Sequence, residues 1–290
     1  MRQVEADQVR SLPWRTAVDA VRAALDAGAA RTAVPRSRMD VPAGHLLLMP
    51  AGDARYVGVK LAGVRAAGDV PRITGVYVLL DATTLQPVAV LDAPALTAVR
   101  TAAVSAMALE LVACADVRTA VVVGTGVQGA AHAAALADLH PGAEVVLVGR
   151  SPARAQDLAA RLGLSSVRAG SLDDARAADV VVTATSSDRP VLGVDDVRPD
   201  CVVVAVGVHE ADKHELSPDL VRRAVVVADD PAEAARSNGN LVLAQGAEVA
   251  AGFDDLATGA VLPTGRPVCV LSAGAAWQDL AVAGAVLGDL

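Results

Sequence analysis

Residues 121–136 read VVVGTGVQGAAHAAAL, a valine strand that breaks on glycine and restarts as a helix of small residues. Gly124 permits the tight turn, Gly126 lets a pyrophosphate approach the backbone, and Gly129 lets helix and strand pack closely, with Val127 and Gln128 lying between the last two. The helix N-terminus then faces the phosphates. A glycine pattern of this kind is weak alone. Here a strand precedes it, a helix follows, and a second strand, EVVLVG, comes after, which is the setting that makes it a dinucleotide-binding turn rather than a plain glycine turn.

The same rhythm continues. The strands RTAVVVG, EVVLVG, ADVVVTATS, CVVVAVG and AVVVADD alternate with helical stretches, and near-continuous valine strands belong to parallel sheets covered on both faces. The region before residue 114 reads differently. A helix spaced on Val18, Val21, Ala24 and Leu25 is followed by HLLLMPA, YVGVKLAGV, ITGVYVLLDA and PVAVLDA, short strands in series that suggest an antiparallel sheet, then by a long helix over 94–113. The closing SAGAAWQDLAVAGAVLGDL reads as a helix able to return to the first domain. With 290 residues the chain has room for two domains. The expectation is an α/β protein: a Rossmann-type doubly wound parallel sheet over 114–271, inserted into an α+β domain of residues 1–113 and 272–290.

The end of the second strand selects the nucleotide. An acidic residue there holds the ribose hydroxyl of NAD, whereas arginine accommodates the extra phosphate of NADP. This chain reads VVLVGRSPAR, with Gly149 at the acidic position, then Arg150, Ser151 and Arg154, so NADP(H) is favoured and NAD(H) stays possible.

Several classes drop out. A net charge of −8 disfavours nucleic acid and anionic membranes, and no apolar run is long enough for a membrane span. The charged opening MRQVEADQVR lacks the apolar core of a secretory signal, so a cytoplasmic protein is expected. Cys114, Cys201 and Cys269 are odd in number and lack metal-site spacing; neither a disulfide framework nor a metal is indicated.

Lys and Arg together number 25, and only Lys60 and Lys213 are lysines. Where arginine is the habit, a lysine does something arginine cannot, such as giving up a proton. Lys60 lies in the apolar YVGVKLAGV, Arg36 and Arg38 in PRSRMD before a strand, and Arg100 with Thr101 in the alanine-rich LTAVRTAAVSA. An arginine fork matches a carboxylate, and a lysine in apolar surroundings has a lowered pKa. Together they suggest a site for a small α-carboxylate; the alternative of solvated surface charge is preferred for Arg38. Lys213, within HEADKHEL, reads as solvated or structural. The acids at 172–174 and 229–230 read as loop and strand-end groups, His132 as a packing residue, and His45, His140 and His214 as turn or surface residues.

With these pieces in place the chain resembles the ornithine cyclodeaminase/mu-crystallin family. The shared segments PRSR, LLLMPA, GVKLAG, LTAVRTAA, GTGVQGAAHAAAL, AVGVHEADKHEL and SAGAAWQDLA run in order through nearly the whole chain. The resemblance implies a homodimer, an N-terminal substrate and dimerisation domain completed by the closing helix, and an inserted Rossmann domain. It also implies that Arg36 and Arg100 bind the substrate carboxylate and that Lys60 sits beside the reacting atoms. Thr101 and Gln128 are implied to help around the nicotinamide and phosphates.

Two departures narrow the reaction. Ornithine cyclodeaminases carry a glutamate in the strand matching LLLMP and an aspartate in the segment matching AVGVHEADKHEL; here Leu47 and His209 stand there. Leucine accepts no proton, which puts cyclisation of a diamino acid in doubt, while His209 is a candidate acid, base or hydrogen-bonding residue. The resemblance then implies an NAD(P)H-dependent reductase of a cyclic imino acid, 1-pyrroline-2-carboxylate or 1-piperideine-2-carboxylate. Ornithine cyclodeaminase, alanine dehydrogenase and a non-catalytic ligand binder are the alternatives.

Overall fold

The computed structural model describes residues 1–65, 73–114, 116–208 and 210–288. They form two compact units, Met1–Val104 with Gly274–Leu290, and Ser105–Ala273.

The first unit opens with β1 (Arg2–Val4), α1 (Ala6–Arg10) and α2 (Trp14–Asp26). Five strands follow: β2 (Ser37–Val41), β3 (Gly44–Gly52), β4 (Tyr56–Arg65), β5 (Ile73–Asp81) and β6 (Pro87–Asp92). Helix α3 (Ala93–Leu111) comes next. Sheet order is β1-β6-β5-β4-β3-β2, antiparallel throughout except for the parallel β1–β6 edge. Arg38 lies within β2 rather than before a strand.

Alternation gives this sheet two different faces. Met49, Gly58, Lys60, Ala62, Tyr77 and Leu79 point to one side and are buried. Leu46, Leu48, Val59, Leu61, Val76 and Val78 point to the other and keep part of their surface exposed within this chain. Lys60 lies on the buried side.

The second unit begins inside α3. Its elements are β7 (Thr119–Val123), α4 (Val127–Leu139), β8 (Glu144–Val148), α5 (Pro152–Leu162), β9 (Val167–Ala169), β10 (Val180–Thr183) and β11 (Val202–Ala205). Then come α6 (Pro218–Arg223), β12 (Val225–Ala228), α7 (Pro231–Ser237), α8 (Gly239–Val242), β13 (Val249–Gly252), α9 (Phe253–Ala257) and β14 (Val268–Leu271). Eight strands form one wholly parallel sheet in the order β13-β12-β14-β11-β10-β7-β8-β9. Its order reverses between β7 and β10, and the glycine turn leaves the carboxyl end of β7, the place where open α/β sheets bind ligands. The last helix, α10 (Ala276–Val286), groups with the first unit, as the closing segment suggested.

The units part at 104/105 and 273/274, whereas the sequence places the junctions at 113/114 and 271/272. The physical reason is that α3 does not end at the junction: it runs on, and Ser105 already bonds to His132 of the second unit. No helix among the described residues is long and apolar enough to cross a membrane.

Candidate functional site

In the first unit, the pairing of β3, β4 and β5 sets Met49 and Tyr77 on either side of Lys60. Lys60 is 3% exposed and its Nζ donates to Asp279 Oδ2 at 2.7 Å. The other oxygen, Asp279 Oδ1, lies 3.3 Å from Arg100 Nε, and Arg100 Nη1 donates to Gln278 Oε1 at 3.0 Å. Gln278 and Asp279 are wholly buried. A charge taken out of water is tolerated only when paired, and one carboxylate here serves two cations. Arg36, half-buried ahead of β2, adds a third positive charge within electrostatic reach of Lys60. Among the described residues, the two buried cations Lys60 and Arg100 share the one buried carboxylate of Asp279, a positive surplus that an anionic ligand would neutralise.

Burial pulls the Lys60 ammonium down to a pKa of about 8; Asp279 opposes the shift, and Arg100 and Arg36 reinforce it. The side chain is therefore poised to exchange its proton near neutral pH. Gly274 makes room for the arginine: its φ is +79° and a Cβ there would stand 2.7 Å from Arg100 Nη1. Thr101 Oγ1 donates to the Thr97 carbonyl at 2.6 Å, one helical turn back.

Tyr77 is fully buried, and its ring end fills the space that a Cβ on Gly58 would need, 2.1 Å from the hydroxyl. Burial raises the phenol well above its ordinary pKa, so it stays neutral. Its hydroxyl has no hydrogen-bond partner among the described residues.

Other expectations find their places on this sheet. Arg38 is an exposed partner of Asp40 at 2.8 Å, a solvated surface charge. Leu47, paired with Ala62, is two residues along from the Met49–Lys60 pair and so on the same face, where no carboxylate stands at that position. His209 lies outside the described residues.

In the second unit, each glycine of the turn has its own reason. Gly124 has φ +136° and a Cβ there would lie 2.3 Å from the Ala184 carbonyl oxygen. A Cβ on Gly129 would lie 1.9 Å from the Gly124 oxygen, so helix and strand end meet through glycine alone. Above Gly126 there is nothing within 4 Å, which is the open cradle that a pyrophosphate requires. Val127 is exposed at the start of α4, and the Gln128 carbonyl accepts from His132 Nδ1 at 2.8 Å. Because a carbonyl only accepts, Nδ1 carries the proton and Nε2 accepts from Ser105 Oγ at 2.9 Å. His132 is thus a packing and hydrogen-bonding residue.

At the end of β8 the position that an acidic residue would take is Gly149, where a Cβ would stand 2.8 Å from the Thr125 methyl and push that side chain aside. Arg150 and Arg154 are exposed and make no ion pair among the described residues, while the Ser151 hydroxyl caps α5 by accepting from the Arg154 amide. At the carboxyl ends of β10 and β11, the buried Glu215 accepts from the Thr185 amide (2.7 Å), the Thr185 hydroxyl (2.8 Å) and the Gly207 amide (2.8 Å). It ties two loops of the ligand edge together. Lys213 pairs with Glu210, and Asp229 accepts from Ser272 and Ala273. Among the described residues no cluster of side chains could hold a metal.

Sequence reasoning missed Asp279, Gln278, Tyr77 and Glu215 as site or scaffold residues. One signal was available: AAWQDLAVAGAV is apolar on every face except at Gln278 and Asp279, and a helix buried all round pairs any charge it carries.

Residues 3–289 match the model of the ornithine cyclodeaminase/mu-crystallin family. The chain is 36% identical over 263 residues to Delta(1)-pyrroline-2-carboxylate reductase 2 of Burkholderia ambifaria, covering 87% of this chain and 84% of that one. It is also 36% identical over 264 residues to the Delta(1)-pyrroline-2-carboxylate/Delta(1)-piperideine-2-carboxylate reductase of Azospirillum brasilense, with the same coverage. Among solved structures, the iminosuccinate reductase of Paracoccus denitrificans in complex with NAD+ superposes with a TM-score of 0.87 at 28% identity, over 99% of this chain and 95% of that one.

Proposed function

The chain belongs to the ornithine cyclodeaminase/mu-crystallin family, and from that premise we propose that it is a nicotinamide-dependent reductase of a cyclic α-imino acid, turning 1-pyrroline-2-carboxylate or 1-piperideine-2-carboxylate into proline or pipecolate. Lys60 carries this conclusion: it is buried, paired with Asp279 beside Arg100, and held at a pKa of about 8. The names of the two relatives fix the class of substrate, and the buried positive surplus suits its carboxylate.

Arg100 and Arg36 bind that carboxylate and so orient the ring, and Lys60 gives its proton to the imine nitrogen. A nicotinamide dinucleotide held at the turn of Gly124, Gly126 and Gly129 would supply the hydride that reduces the imine. The product is a secondary amine, and Lys60 regains its proton from solvent. A donor with a pKa near the working pH is an efficient general acid, and orientation supplies the rest. Leu47 offers no carboxylate to a second amino group, which argues against ornithine.

Arg150 and Arg154, exposed at the end of β8 where Gly149 stands in the acidic position, favour NADP(H) over NAD(H). In a paired assay, NADPH is expected to be oxidised with either cyclic imine at a higher kcat/KM than NADH, and L-ornithine with NAD is expected to release no ammonia. Ammonia and proline from ornithine would replace this reading with cyclodeamination, and higher kcat/KM with NADH would reverse the cofactor assignment.

The half-exposed apolar face formed by Leu48, Val59, Leu61 and Val78 supports a homodimer. Light scattering is expected to give twice the 29.2 kDa chain mass, and a monomer at micromolar concentration would refute it.

A further inference from the structure

The carboxylate of Asp279 touches both cations expected to meet the substrate, yet it comes from α10, 219 residues beyond Lys60 in the chain. Its neighbour Gln278 accepts from Arg100 Nη1 at 3.0 Å. A carboxylate that only balanced charge could sit anywhere near the cluster. This one turns a different oxygen to each of two specific groups: Oδ2 accepts a hydrogen bond from the lysine, and Oδ1 faces Arg100 Nε at 3.3 Å as an ion pair without a hydrogen bond.

We propose that Asp279 is the positioning residue of this site: it fixes Lys60 and Arg100 against each other on the buried face of the sheet and keeps Lys60 protonated where the reaction needs it. This role presupposes the reductase reading of Lys60, but its physical content, control of the lysine's proton, is measurable without turnover.

The groups that face Lys60 can be named element by element. Asp279 and the neutral Gln278 come from α10, Arg100 from α3, Arg36 from the segment before β2, and the neutral Tyr77 from β5. Helix α2 turns only Ala17, Val18, Ala20, Val21 and Leu25 inward. Among the described residues Asp279 is the one anion in this set, and burial, Arg100 and Arg36 all act to expel the proton of Lys60. Neutralising Asp279 therefore lowers the pH at which Lys60 gives up its proton.

The test uses the full-length chain labelled with 13C-lysine. Having two lysines, it gives two Cε signals, and Lys213→Arg identifies the one from Lys60. In the wild type the Lys60 signal is expected to titrate near 8; in Asp279→Asn it is expected to titrate lower by about one unit or more, with the alkaline limb of the kcat/KM profile moving with it. At pH 8 that shift reads as about a fivefold loss of activity, recovered at lower pH. A purely structural role would lower Tm and leave both titrations where they were.

An unmoved Lys60 titration in folded Asp279→Asn overturns the proposal while leaving the reductase reading intact. A moved titration in a protein without imine reductase activity would do the reverse. Asp279→Asn leaves buried cations without a counter-charge, so Asp279→Glu decides the matter if that variant fails to fold. The glutamate keeps the charge on a longer arm, so the titration is expected to stay near 8 while kcat falls at least threefold; an unchanged kcat overturns the proposal.

Discussion

Lys60→Met is expected to lower kcat by about three orders of magnitude with little change in KM, because a positioned general acid contributes roughly 10²–10⁴-fold and methionine keeps the length of the side chain without its proton. On the proposed reading the substrate carboxylate is held by Arg36 and Arg100, so binding should survive. Asp279 retains Arg100 at 3.3 Å, so the variant does not leave a carboxylate without any counter-charge. The fold should hold, which thermal melting followed by circular dichroism checks alongside NADPH oxidation. The wild-type pH profile carries the same signature. Imine reduction consumes the protonated lysine, so kcat/KM falls as pH rises through about 8. Oxidation of the cyclic amino acid needs the neutral lysine and rises through the same pH. A Lys60→Met variant within tenfold of the wild type, or an alkaline limb that survives in it, would assign the proton to another donor.

The parts of this molecule that depend on local pattern were legible from the sequence. Valine runs point to β7, β8, β10, β11 and β12, with β7, β8 and β11 running into glycine, and the turn at Gly124–Gly129 has the backbone geometry that its three glycines implied. Two short strands were not legible: β13 is only VAAG, and β14, though the apolar run VCVL, is wedged between β11 and β12 by a crossover that no local signal announces. The site divides along the same line. Lys60 and Arg100 stand out because each is a cation in an apolar stretch. Asp279 and Tyr77 acquire their meaning only from a long-range contact and from strand register, respectively. Tyr77 looks like any strand aromatic until β4 and β5 pair and set it beside Lys60. The sequence already favoured solvated charge for Arg38, and the fold adds that Arg36 is half-buried within electrostatic reach of the lysine while Arg38 is an exposed partner of Asp40.

Arg100→Lys separates the geometry of this site from its charge. The substitution preserves the positive surplus, so any loss comes from the shape of the cation: a guanidinium offers a planar fork, an ammonium a compact point charge. In the structure Arg100 already spends Nη1 on Gln278 and turns Nε toward Asp279, and a bound carboxylate would draw on the remaining fork. A lysine cannot meet all three demands from one nitrogen. Hydrogen bonds between charged groups are worth about 1.5–3 kcal/mol each, and losing one or two of them lowers kcat/KM for the imino acid by roughly 10²–10³-fold, mostly through KM. The KM for the nucleotide should stay within about twofold, since the variant removes nothing from the glycine turn that the cofactor reading invokes. Lys60→Met and Arg100→Lys thus fail in opposite columns, one in kcat and one in KM, and steady-state kinetics on purified protein reads both. If Arg100→Lys kept kcat/KM within tenfold, the carboxylate would belong to Arg36 alone, and Arg100 would be left as the buried partner that Asp279 and Gln278 hold in place.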